Sequence, residues 1–207
     1  MDLSIFLIAI YLVITFAISC FNAYSVGNMW FEARVIGGWT RILAYCGAIM
    51  SAAGFSYVYT IIIGLVLYSI GVLDSDHFGM LISLVYLFLV IPIIGSGLAI
   101  TVNSVIVAYH QRSWVNSGIA AWNIMAQAYN MYSAISAVPA SVKSVGGLFK
   151  GSNNKDGLQA KIVIAIAIVA ILGGSLTTIA IIRTVAKKHA QIAKQKYSVL
   201  KGGQASV

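Results

Sequence analysis

The chain has 207 residues, of which 60% are hydrophobic and only 9% charged, and it carries a formal net charge of +8. A water-soluble domain has about 25% charged residues, so this sequence lacks the polar surface that would keep a domain of its length in water. Functions that need a polar groove or a set of ionisable groups are disfavoured, and the basic excess is best matched by the anionic face of a lipid bilayer.

The first apolar stretch predicts a span over 3–26. Asp2 is the sole side-chain charge before Glu32. A secretory leader places a positive segment ahead of a short apolar run. Ala17-Ile18-Ser19-Cys20 has the outline of a lipoprotein cleavage site, but the missing Lys and Arg and the long apolar continuation point to an uncleaved span. A loop is expected next, holding Gly27, Asn28, Trp30, Glu32, Arg34, Gly37-Gly38, Trp39 and Arg41. Tryptophans beside arginines fit an interfacial belt, so Trp30, Trp39 and Arg41 are candidate membrane-surface anchors.

Residues 42–73 contain no charge, which predicts the second span, and Asp74-Ser75-Asp76-His77 is a tight turn. The third span is expected over 79–109, bending near Pro92, Gly95 and Gly97. At 1.5 Å per residue these two helices approach about 50 Å, more than a hydrocarbon core of about 30 Å requires, so they must tilt, bend or project. The fourth segment, 114–138, is uncharged but holds Asn116, Asn123, Gln127 and Asn130; Pro139 and a polar loop over 141–161 follow. The last span is 162–182, bracketed by Lys161 and Arg183, which with Lys187 and Lys188 form the second set of candidate anchors. A basic tail, 184–207, is expected to continue as helix to about Leu200 and to fray from Gly202.

The spans lack the two-residue alternation of barrel strands, and lipid cannot satisfy a bare backbone. The predicted fold is therefore an all-α integral membrane helical bundle in which 1–183 is one transmembrane domain with about five helices. Four is the alternative, with 114–138 lying at the surface. Positive residues favour the inner side. Five spans put Arg34, Arg41, Arg112 and the tail inside, at the cost of leaving Lys143, Lys150, Lys155 and Lys161 outside, with the N-terminus out. In a virion membrane that rule loses force.

At 100° per residue, Asn116, Asn123, Gln127 and Asn130 fall within about 60° of one another, while Trp114, Trp122, Met125, Tyr129 and Tyr132 gather nearly opposite. An amide stripe in lipid must meet another helix, a second subunit or water. Asparagines at intervals of seven suit a helix–helix seam. Packing within the chain, a subunit interface and a water-filled pore lining all remain open. The interface candidates are Asn116, Asn123, Gln127 and Asn130, with Trp122 and Tyr129 on the other face. Small residues recur at packing spacing in Ala44/Ala48/Ala52, Gly47/Ser51, Gly95/Ala99/Asn103 and Ala170/Gly174/Thr178. Asn103 is expected to bond a neighbouring helix rather than to mark a broken helix around a ligand.

All five acidic residues (Asp2, Glu32, Asp74, Asp76 and Asp156) fall in ends or loops, and His77, His110 and His189 are far apart. Paired carboxylates for acid–base chemistry and the intramembrane charges of pumps are not offered. His77 beside Asp74 and Asp76 reads as a solvated turn ahead of a weak cation site. Cys20 and Cys46 lack CxxC spacing and read as small apolar side chains ahead of a disulfide or metal role. No catalytic residue, metal or other cofactor is expected.

The Ile/Val/Ala/Ser/Tyr-rich, charge-poor texture, seen in Thr60-Ile61-Ile62-Ile63-Gly64-Leu65-Val66-Leu67-Tyr68-Ser69-Ile70-Gly71, resembles the multi-span virion membrane proteins of lipid-containing archaeal viruses, spindle-shaped ones included. The resemblance is of composition over the whole chain and transfers no functional residue. It implies a structural part of a virion membrane, at a tail or pore; small membrane subunits of secretion machines share the texture. The expected role is a non-enzymatic subunit that oligomerises, in a cell or virion membrane, and forms or anchors part of a larger assembly. The alternative is a passive channel or carrier lined by the amide stripe. The expected partners are the bilayer, further copies of the chain and other membrane or virion proteins; contact of the basic tail with nucleic acid is the lesser reading.

Overall fold

The computed structural model describes residues 3–148 and 154–203, with side chains for 6–148 and 157–192. Five helices make up the described chain: α1 (Leu3–Ile36), α2 (Gly38–Ser69), α3 (Ser75–Gln111), α4 (Trp114–Leu148) and α5 (Asn154–Gly203). Among the described residues four stretches are long and apolar enough to cross a membrane: Phe6–Ile36, Gly38–Ser69, Ser75–Gln111 and Gly157–Ile192. The fold is an all-α membrane helical bundle. α4, with its amides, falls short of that apolarity.

The connections are shorter than the sequence led us to expect. No loop occupies residues 27–41. α1 continues past Val26 to Ile36, and the reversal is confined to Gly37 (φ 70°) and Gly38 (φ 51°). Positive φ is strained for a residue with a Cβ and free for glycine. The last carbonyls of α1 are satisfied from α2: Arg41 Nε donates to Ala33 O at 3.4 Å and its Nη2 to Arg34 O at 3.2 Å. A basic side chain on terminal carbonyls also meets the negative end of the helix dipole.

α2 ends at Ser69, before the expected Leu73, and Gly71 (φ 74°) turns the chain. Asp74 then caps α3 by accepting the His77 N–H at 2.9 Å, and His77 Nδ1 lies 2.9 Å from the same oxygen. The His77 N–H holds the exposed Asp74 carboxyl below its ordinary range, with the imidazole adding to the effect. α3 remains one element through Pro92 and stops at Arg112, a left-handed residue (φ 45°). α4 likewise passes through Pro139 to Leu148, so the span limit at 138 and the loop over 141–161 are both corrected. A proline removes one ladder bond, and in lipid the backbone on either side has no water to turn to. Residues 149–153 lie outside the described residues. The α5 backbone is helical through Gly203, past the expected fraying point at Gly202; residues 204–207 lie outside the described chain.

α2 is the hub, packed on α1, α3 and α5; α4 packs along α3, meets α5 thinly and, among the described residues, brings its backbone close to neither α1 nor α2. Successive helices run antiparallel, so two apolar clusters form at opposite ends. One joins Leu73, Leu81, Val85, Leu148, Ala160 and Val163. The other joins Ala23, Val26, Ala33, Ala44 and Ile182. Between them the predicted small faces of α2 and α5 meet. A methyl placed on Gly174 would lie 2.6 Å from Ser56 N and 2.7 Å from Ala52 O, so the backbones touch there. Ser51, fully buried, donates to Ser19 O of α1 at 2.8 Å. Its one proton is thereby committed, so the buried Thr178 hydroxyl of α5 is the donor in the 3.0 Å bond to Ser51 Oγ. One small hydroxyl pair thus ties three helices.

Candidate functional site

Most of the residues singled out from the sequence lie on α4, at its seam with α3 or on its opposite face, and at the basic end of the bundle.

In the seam, the amide face of α4 is turned toward α3. Gln127 is buried, and its Nε2 donates to Ile94 O at 3.0 Å. The space for it is made by Gly97, where any Cβ would collide with the Gln127 amide. Asn123 contributes its backbone, whose carbonyl accepts from Thr101 Oγ1 at 3.3 Å. Asn116 Nδ2 donates to Gln111 Oε1 at 2.6 Å, bracing the short α3–α4 connection. Asn123 and Asn130 are half-buried on the same face. The contacts place Thr101 opposite Asn123, Gly97 opposite Gln127 and Met80 opposite Gly147, so α4 follows α3 along most of its length. Gln127 Oε1 has no hydrogen-bond partner although it is buried.

The opposite face of α4 is bare. Trp122, Tyr129 and Tyr132 are 64%, 71% and 70% exposed. They belong to a stripe of exposed residues, Val115, Gly118, Trp122, Met125, Tyr129, Tyr132 and Ser136, whose spacing alternates between three and four. That is the seam period of a coiled coil. The sequence showed the aromatic face; that it is the uncovered one becomes apparent only once the covered face is known.

At the basic end, the candidate anchors divide. Trp30 is packed inward: it lies against the Ala23–Ile182 cluster, meets Tyr45 edge-on at 6.0 Å, and carries the Arg34 guanidinium 5.7 Å above its ring. Trp39 is half exposed and donates its Nε1–H to Asn103 Oδ1 of α3 at 3.1 Å. That bond gives Asn103 the role of bonding a neighbouring helix. Arg41 is the α1 cap described above. Arg183, Lys187 and Lys188 are exposed on α5, at the same end as Arg34. Lys161 is exposed at the far end, one residue from Ala160 of the Leu73–Val163 cluster. So the helix directions gather Arg34, Arg41, Arg183, Lys187 and Lys188 at one end, and Asp74, Asp76, His77 and Lys161 at the other. The remaining tail lysines lie outside the described side chains.

Between α1, α2 and α5 the basic end opens into a cleft of about 890 Å³. No residue pattern pointed to it, because its walls come from three helices far apart in the chain. Cys20 and Cys46 are unpaired, and among the described residues no three His, Cys, Asp or Glu side chains stand close enough to hold a metal ion. No protein-family model, curated protein or solved structure matches this chain, so any role rests on this geometry alone.

Proposed function

We propose that this chain is a non-enzymatic structural subunit that assembles within a cell or virion membrane, with other copies of itself and with companion membrane proteins, through the exposed face of α4. The observation that carries the reading is the two-sided character of that helix. Its amide face is covered by α3, while an exposed stripe that carries Trp122, Tyr129 and Tyr132 is left without a neighbour among the described residues. Tyr and Trp combine large contact area with a polar tip, and helix association in lipid gains from packing and interhelical hydrogen bonds rather than from expelling water.

The closure of Gln127 onto Ile94 and Gly97 favours this reading over a pore lined by the amide stripe. The pairing of α4 with α3 along their length also supports five crossings rather than four. The test is cross-linking in native membranes. Under a mild oxidant such as copper phenanthroline, a single cysteine at Trp122 or at Tyr129, in a background lacking Cys20 and Cys46, should form disulfide-linked dimers, whereas a single cysteine at exposed Phe21 of α1 should not. A monomeric mass in mild detergent together with no cross-link from either α4 site would overturn the proposal. Conductance in planar bilayers that shifts with Asn123→Leu would replace it with the channel.

A further inference from the structure

We infer that the cleft at the basic end is a binding site for one anionic phospholipid, with its phosphate at the rim and an acyl chain along the floor. The rim carries Arg34 from α1 and Arg183 and Lys187 from α5. Among the described residues none of the three has a carboxylate within ion-pairing distance, the sole such pair being Asp74 with His77. Three uncompensated cations facing one cavity at the end of membrane-crossing helices call for an anion, and basic pockets between such helices are where lipid headgroups bind. The Arg34 guanidinium is also placed: its contact with the face of Trp30 keeps it at the wall of the cleft.

The floor determines what kind of anion fits. It is made by Ala48 and Ala52 of α2 and by Ile179 and Ile182 of α5. Of the three hydroxyl side chains that line the cleft, Ser175 donates to Ile171 O at 2.8 Å and Thr178 bonds Ser51, while Tyr45 stands in the wall against Trp30. The floor between Ala48, Ala52, Ile179 and Ile182 is therefore hydrocarbon with its own hydroxyls taken, which suits an alkyl chain. From Lys187 to Ser175 this lining extends about 18 Å along α5 at 1.5 Å per residue, and the volume is within the range of pockets that enclose whole ligands. The small side chains Ala48, Ala52 and Ala186 provide the room.

The test is native mass spectrometry of the full chain in mild detergent with equal amounts of phosphatidylglycerol and phosphatidylcholine. One phosphatidylglycerol should be retained per chain in preference to phosphatidylcholine. A headgroup gains about fivefold in affinity from each nearby cation, so R34Q/R183Q/K187Q should reduce retention on the order of a hundredfold. All three side chains are exposed, so this variant should still fold. K143Q/K161Q, which removes positive charge elsewhere, should change retention less than twofold. Ile179→Asn sets an amide against the acyl chain at a half-exposed position, and should weaken binding about tenfold with every cation in place. Phosphatidylglycerol retained equally by the triple variant would overturn the site. Displacement of the lipid by millimolar inorganic phosphate, or no effect of Ile179→Asn, would reduce it to a bare anion contact and overturn the acyl-chain assignment.

Discussion

The α2–α5 and α3–α4 seams both carry polar groups in an apolar bundle, and they solve the problem differently. Between α2 and α5 the polar groups are short: Ser51 and Thr178 bond each other and Ser19 O, and Gly174 lets the backbones touch. Between α3 and α4 the polar group is long: Gln127 reaches Ile94 O with one end while its other end is left without a partner. A hydroxyl can be satisfied by neighbours one turn away. A buried amide brings two donors and an acceptor and needs correspondingly more partners. The first seam therefore holds three helices at close range. The second attaches a single helix at the edge of the bundle.

The largest effect is expected from closing the approach at Gly174. Gly174→Leu should destabilise the bundle at the upper end of about 1–3 kcal/mol for overpacking, because backbone atoms rather than flexible side-chain tips stand in the way. Thermal unfolding in detergent would measure it, and an unchanged midpoint would break the contrast. Ser51→Ala leaves the buried Thr178 hydroxyl without its partner and should cost about 1–2 kcal/mol. Gln127→Leu sharpens the contrast from the other side. It removes one bond and one unpartnered oxygen together, so stability should change by less than about 1 kcal/mol. If it fell as far as for Ser51→Ala, the two seams would be equivalent.

The turn outside the membrane gives a comparably small effect. Asp74→Ala removes the α3 cap and should cost about 1 kcal/mol. The folded-state pKa of Asp74 lies below its unfolded value, so its contribution is present above the ordinary carboxylate pKa of about 3.9 and disappears as pH falls through the lowered folded value. An acid titration of the unfolding midpoint should lose this component in the variant, and an identical curve in both proteins would contradict the cap.

Much of the bundle was legible because uncharged runs such as 42–73 leave few alternatives in lipid. The small faces around Ser51, Gly174 and Thr178 were legible too, since spacing alone shows which residues permit close approach. The amide face of α4 was visible as a stripe, but its partner was not: three interpretations of one helical wheel are separated only by knowing that Gly97 lies opposite Gln127. The tryptophan loop was misread for a physical reason. Trp30 and Arg34 look like interfacial residues by type, yet nothing between Val26 and Gly37 stops a helix, so α1 carries Trp30 into the packing against α2 and α5. The basic cleft was invisible, because Arg34 and Lys187 are neighbours only after five helices have alternated in direction.

The Arg41 cap separates two properties that a charge count merges. Its guanidinium is held by Ala33 O and Arg34 O, so this cation weighs in the orientation of the protein while its donors face inward to the α1–α2 corner. Exchange for lysine preserves the sidedness signal and forfeits the planar fork that reaches two carbonyls at once. The charge of Arg41 and its hold on the α1–α2 corner thus rest on different chemistry, and a single substitution can alter the second while leaving the first intact.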